Sequence, residues 1–216
     1  MHKYELVAIA LVVLSFLTAF VVYPTLPEKV PIHWNAKGEV DGYGSPLFGA
    51  FIFPAIGVFI IFLFWLIPKI AVFKENFKKF EKEYYLLEIF LILYFIIFYI
   101  LTLLPNFGFE FNMSFGVVPL VSFLFIVLGI MMPRFKRNFF VGIRTPWTLA
   151  NEEVWDKTHK LGGKVFIAMG LISLLALLFP SMFLVLFMAP LIAGIAIIVI
   201  YSFIEFRKIN GGKIQL

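Results

Sequence analysis

PRFKRNFFVGIRTPWTLANEEVWDKTHKLGGK, Pro133–Lys164, is the longest polar stretch in a chain that is otherwise mostly apolar. Runs long enough to cross a bilayer flank it on both sides, so the stretch sits at a membrane face. It holds seven of the 18 Lys and Arg (Arg134, Lys136, Arg137, Arg144, Lys157, Lys160, Lys164) and two of the four Trp, Trp147 and Trp155. Cations interleaved with Trp suit a headgroup region, where an indole keeps its ring in the lipid edge and its N–H in water.

Downstream, Val165–Ile204 runs 40 residues without a charge. As one helix it would span about 60 Å, twice a hydrocarbon core, so it reads as a hairpin of two helices with its corner at Pro180-Ser181. Upstream, Ser114–Met132, Tyr84–Leu104 and Leu47–Ile67 each read as a span, the last ended by Pro68. Leu6–Tyr23 reads as a retained first span, being longer than a signal-peptide core and lacking a small-x-small cleavage site. The expected spans are 6–23, 47–67, 84–104, 114–132, 161–179 and 182–204, with an outer loop over 24–46 and a cytoplasmic loop over 133–164. The fold class is therefore all-α: a polytopic membrane protein of six transmembrane helices, read as one integral membrane domain over residues 1–216.

Six spans put both termini on one side, and charge says which. All but two of the 18 Lys and Arg, the exceptions being Lys29 and Lys37, fall on the side of the termini, including Lys213 near the end. The positive-inside bias makes the chain N-in and C-in, a multi-pass protein of the plasma membrane. At 62% hydrophobic and 14% charged, the chain has far more apolar surface than a soluble domain can bury. With no Cys there is no disulfide, thiol nucleophile or thiolate metal site. No phosphate-binding glycine loop, zinc-protease helix or serine-nucleophile elbow occurs either, so neither catalysis nor a cofactor is assigned.

The outer loop, a Pro- and Gly-rich connection, offers Ile32-His33-Trp34 and Glu39-Val40-Asp41 as short strands around Asn35-Ala36-Lys37-Gly38, with Gly38 at positive φ. Asp41-Gly42-Tyr43-Gly44 reads as a second turn. Two readings stand: a rigid cap displaying His33, Trp34 and Tyr43, or a turn that packs Trp34 on the helix ends. His33, Glu39 and Asp41 are metal-ligand types, but their spacing matches no ligand pattern, and no metal is assigned.

Lys69–Glu83 places Phe73, Phe77 and Phe80 at helical spacing, an amphipathic extension lying on the membrane. In the cytoplasmic loop Asn151 reads as an N-cap with Glu152 and Glu153 behind it. A short amphipathic helix then runs through Trp155, Thr158 and Leu161 and stops at Gly162-Gly163. Glu153 and Lys157 form an i,i+4 pair, and Asp156 and His159 an i,i+3 pair. Arg144 either binds lipid phosphate or an acidic partner, or caps helix carbonyls, with both Trp as interfacial anchors. Glu88 is the one ionisable residue plainly inside a span; its shallow depth lets it snorkel or pair with a base.

Two motifs carry a resemblance. Leu26-Pro27 through Ile32-His33-Trp34-Asn35, Gly38 and Asp41-Gly42-Tyr43-Gly44-Ser45 resembles a prokaryotic membrane domain of unknown function. Gly142-Ile143-Arg144-Thr145-Pro146-Trp147-Thr148 with Trp155, Thr158, His159 and Gly162 resembles the SdpI family of immunity proteins. That resemblance implies protection against a secreted antimicrobial peptide or protein toxin, and signalling through a transcriptional repressor held at the bilayer. It implies that His33, Trp34, Asn35, Gly38, Asp41, Gly42 and Tyr43 face the toxin. It likewise implies that Gly142, Arg144, Thr145, Pro146, Trp147, Trp155, Thr158 and His159 face the cytoplasmic partner or stabilise the fold. Membrane lipids are the remaining partner, and no direct nucleic-acid contact is expected. The rival reading is a small inverted-repeat transporter or lipid-handling protein, with Thr18, Thr102, Ser122, Ser173 and Glu88 as its scarce polar path.

Overall fold

The computed structural model describes residues 2–35, 37–109 and 112–209. Ala36 of the expected outer turn and Lys213 of the charge count lie outside the described residues. Among the described residues six helices are long and apolar enough to span a membrane, which makes the chain an all-α polytopic membrane protein. They are α1 (Lys3–Val22), α2 (Pro46–Ile70), α4 (Glu81–Leu103), α5 (Ser114–Met131), α7 (Glu152–Leu174) and α8 (Phe183–Ile209). Among the described residues there are also two short helices, α3 (Lys74–Lys79) and α6 (Pro146–Ala150), one hairpin of β1 (Val30–Trp34) and β2 (Val40–Gly44), and several 3-10 turns.

The chain forms two compact units. The first comprises Met1–Leu66 and Tyr84–Leu120. Helix α1 buries Ala8, Val12, Ser15 and Ala19, one stripe at helical spacing. The stripe meets α2 where Gly57 leaves room for Val12: a Cβ there would lie 2.8 Å from a Val12 methyl. Ala19 and Ala50 pack with Tyr99 and Leu103 of α4.

Helix α2 runs to Ile70, past the expected stop at Pro68. Pro68 has no N–H to give the carbonyl of Phe64 four residues back. The Tyr84 hydroxyl donates to that carbonyl instead, at 3.1 Å, so the helix continues.

The second unit comprises Ile67–Glu83 and Val121–Leu216. Helices α5 and α7 cross in close contact there. Cβ atoms on Gly129 and Gly163 would each lie 2.6 Å from the other's carbonyl oxygen, and one on Gly170 would lie 2.6 Å from the Ser122 carbonyl. Small residues seven apart on both helices therefore let the backbones touch, the packing expected where lipid removes any hydrophobic drive between helices. This corrects the expected stop at Gly162-Gly163: α7 passes straight through them, because they serve as the contact surface of a span.

The connection between α7 and α8 covers 175–182 as two short 3-10 turns, and α8 then runs unbroken through Pro190. Phe73, Phe77 and Phe80 do not lie on a membrane. Phe77 and Phe80 are buried, Phe80 packs edge-on against Phe135 at 5.7 Å, and Phe73 stacks on Phe139 at 5.2 Å. Protein rather than lipid covers that face.

Candidate functional site

In the first unit the hairpin pairs β1 and β2 antiparallel, with Val30 opposite Gly44, His33 opposite Gly42 and Trp34 opposite Val40. Val30 is its anchor, buried above α2, where a Cβ on Gly49 would lie 2.6 Å from a Val30 methyl. Asp41–Gly44, expected as a turn, is strand β2. Gly42 belongs there because a Cβ would lie 2.9 Å from that of His33 across the ladder.

Asn35 builds the tip. Its Oδ1 accepts from the amides of Lys37 (2.8 Å) and Glu39 (3.1 Å), and its Nδ2 donates to Glu39 Oε2 (3.0 Å). Gly38 takes φ +78°, and the space a side chain would fill is occupied by Asn112 and Ser114. Asn112 Nδ2 donates to the Lys37 carbonyl at 2.7 Å, tying the tip to the start of α5. His33 Nδ1 pairs with Asp41 Oδ1 on the exposed side, and Tyr43 is also exposed. Trp34 is half-buried and, with Glu39, Val40, Pro105, Phe109 and Asn112, lines an open hollow of about 690 Å³.

In the second unit the loop of the polar motif is held by its own side chains. Asn138, 1% exposed, accepts from the amides of Phe140 and Val141 and donates to the carbonyls of Lys136 and Val141. Gly142 takes φ +106°, and a Cβ there would run into His159 Nε2. The closeness is functional to the fold, since the Ile143 amide donates to that nitrogen at 3.0 Å. His159 Nδ1 lies 2.8 Å from the Trp155 carbonyl, so the imidazole is the neutral tautomer that carries its proton on Nδ1. Trp155 stacks on it at 4.0 Å and donates its indole N–H to the Phe135 carbonyl.

Thr145 caps α6, Pro146 opens its first turn, and Thr148 reaches back to the Thr145 amide and the Ile143 carbonyl. Thr145 also donates to Ser202 of α8 at 3.1 Å, and Trp147 packs on Phe203. Arg144, exposed, donates to the Phe139 carbonyl at 2.8 Å, a loop carbonyl and not a helix end. The Asn151 cap and the Glu153–Lys157 pair form as expected, and Lys157 also reaches the buried Glu205 at 3.2 Å.

Three expectations change. Trp155 is fully buried, so it is no interfacial anchor. His159 bonds Trp155 and Ile143 in place of Asp156, whose partner is Lys136 at 3.5 Å. Glu88 does not snorkel: it is 2% exposed, with Oε2 unbonded and no ion pair to it among the described residues.

Among the other polar span residues, Thr18 and Thr102 bond carbonyls of their own helices, whereas Ser122 and Ser173 are buried without a partner. Thr158 is also buried with its hydroxyl unbonded.

Asn112, Asn138, Phe135 and Ser202 hold these two sites and escaped the sequence reading. Asn138 had a signal, an Asn two and three residues ahead of the amides it caps. Asn112 and Ser202 had none, since each acts on a segment distant in sequence.

The profile of the SdpI/YfhL protein family matches residues 134–202, and that of the domain of unknown function DUF1648 matches residues 10–58. The immunity protein SdpI of Bacillus subtilis (strain 168) is 30% identical over 215 residues, covering 98% of this chain and 100% of that protein. No solved structure matches the chain significantly.

Proposed function

The chain belongs to the SdpI/YfhL protein family, and from that premise we propose an immunity protein of the plasma membrane that acts by binding and not by catalysis. In this reading the chain lies N-in and C-in, as its basic loops favour. The hairpin then faces outward and receives a secreted peptide or protein toxin. The loop of Arg144 and Trp147 faces the cytoplasm and contacts a partner such as a repressor.

The observation that carries the reading is the tethered tip. Asn35 and Asn112 satisfy the backbone of the turn, and Gly49 receives Val30 below. The exposed ring of Tyr43, the His33–Asp41 pair and the flank of Trp34 are thus presented on a fixed frame, which lowers the ordering cost of binding.

The test places a photo-crosslinking amino acid at Tyr43 in living cells and identifies what is captured. A secreted polypeptide supports the reading. Recovery of lipid alone sinks it and favours lipid handling. In parallel, Trp34→Ala and Asp41→Asn are expected to lose protection while reaching wild-type levels in membranes.

A further inference from the structure

The hairpin hollow has a chemistry more specific than a general cap. One wall is apolar and aromatic, from Trp34, Val40, Pro105 and Phe109. Phe109 is 60% exposed, an aromatic ring presented where nothing in the described chain covers it. The other feature is Glu39. Its carboxylate receives one hydrogen bond, from Asn35, and no cation pairs with it among the described residues. Over 24–46 the other acids, Glu28 and Asp41, are matched by Lys29 and Lys37, so the net charge of that segment is the carboxylate of Glu39. The chain as a whole is basic at +5, so a segment whose net charge is one carboxylate departs locally from the overall balance.

An unpaired carboxylate beside aromatic faces fits a cation that carries hydrocarbon. The charge meets the carboxylate and the ring quadrupoles, and the methylenes lie along the apolar wall. Resting on the reading of the hairpin as the ligand-receiving cap, we propose that this hollow binds a Lys or Arg side chain, with its apolar neighbours, of an extracellular peptide. A hollow of about 690 Å³ is in the range of whole ligand sites and holds several side chains, which favours a peptide over a single small headgroup.

The test uses the full chain in phosphatidylcholine nanodiscs, labelled with 5-fluorotryptophan and assigned by single Trp→Phe variants. Two synthetic probes are titrated: a short Leu/Lys peptide, and the same peptide with Gln for every Lys. The Trp34 fluorine resonance is expected to move with the Lys peptide, with the Gln peptide at least about tenfold weaker, a difference of about 1.4 kcal/mol. Glu39→Gln is expected to remove that preference. Gln can still accept from Asn35, so the tip fold is kept, and an unchanged Trp34 resonance in the free variant checks this.

Equal binding of both peptides, or a preference that survives Glu39→Gln, overturns the proposal. So does a Trp34 resonance that ignores both peptides but moves when an uncharged glycolipid replaces phosphatidylcholine, which assigns the hollow to a headgroup. Capture through Tyr43 separates the two levels. A captured polypeptide that meets the hollow without a cation defeats this inference alone, whereas capture of lipid alone defeats the cap reading beneath it.

Discussion

Gly142→Ala should destabilise the second unit by two separable effects. The first is backbone: φ +106° lies where an L-residue is strained, at a cost of about 1–3 kcal/mol. The second is contact: the new methyl meets His159 Nε2 and lies 3.3 Å from Trp155 Cζ2. Relief requires the imidazole to move off the Ile143 amide, which leaves a buried donor and acceptor unpaired at about 1–3 kcal/mol. Together these predict a loss of about 2–6 kcal/mol, or at least several degrees in Tm.

Gly108 supplies the control, with φ +81° and nothing within 4 Å of a built Cβ. Gly108→Ala should therefore show the backbone effect alone. The assay is the midpoint of thermal unfolding in detergent, followed by size-exclusion fluorescence of a tagged chain. A Gly142→Ala midpoint equal to that of Gly108→Ala would refute the contact argument, and one equal to wild type would refute both.

Three further outcomes follow from the geometry. Tyr84→Phe should cost about 1–3 kcal/mol by stranding the Phe64 carbonyl, and Pro68→Ala, which restores an N–H donor to that carbonyl, should recover most of it; additive midpoints in the double variant would argue against the coupling. Asn138→Leu keeps the branching of the side chain but removes its four hydrogen bonds, and it should expose the loop, read as faster tryptic cleavage at Arg137 and Arg144. Because the chain has no Cys, Lys37→Cys and Lys208→Cys can be probed singly. An impermeant maleimide should label the first in intact cells and the second only after permeabilisation, and the reverse pattern would invert the proposed orientation.

That six helices cross the membrane was legible because long charge-free runs have one physical solution in water and lipid, whereas the fifth, expected from 161, begins at Glu152. Gly38 and the Asn151 cap were legible because each answers to its immediate neighbours. What sequence order hid were conditions set by a second segment. Pro68 looks like a stop until Tyr84 provides the missing donor. Gly162-Gly163 looks like a C-cap until Gly129 is found against it. Trp155 looks like a headgroup anchor, because nothing in its local sequence reveals that Phe135 and His159 enclose it. Gly42 looks like a turn residue until His33 is seen across the ladder.

The segment 67–83 is threaded into the second unit although the helices on either side of it belong largely to the first. The two family matches, over 10–58 and 134–202, fall in separate units and leave this strap out of both. That has a consequence for inheritance and for protein engineering. A recombinant that takes its C-terminal half from a relative receives Phe135, Phe139 and Arg137 without the Phe80, Phe73 and Asn76 that pack on them. Exchange between relatives at a single crossover is thereby penalised, and the strap and the loop should change together over evolutionary time. A working chimera needs two grafts, one at 67–83 and one from 121 onward.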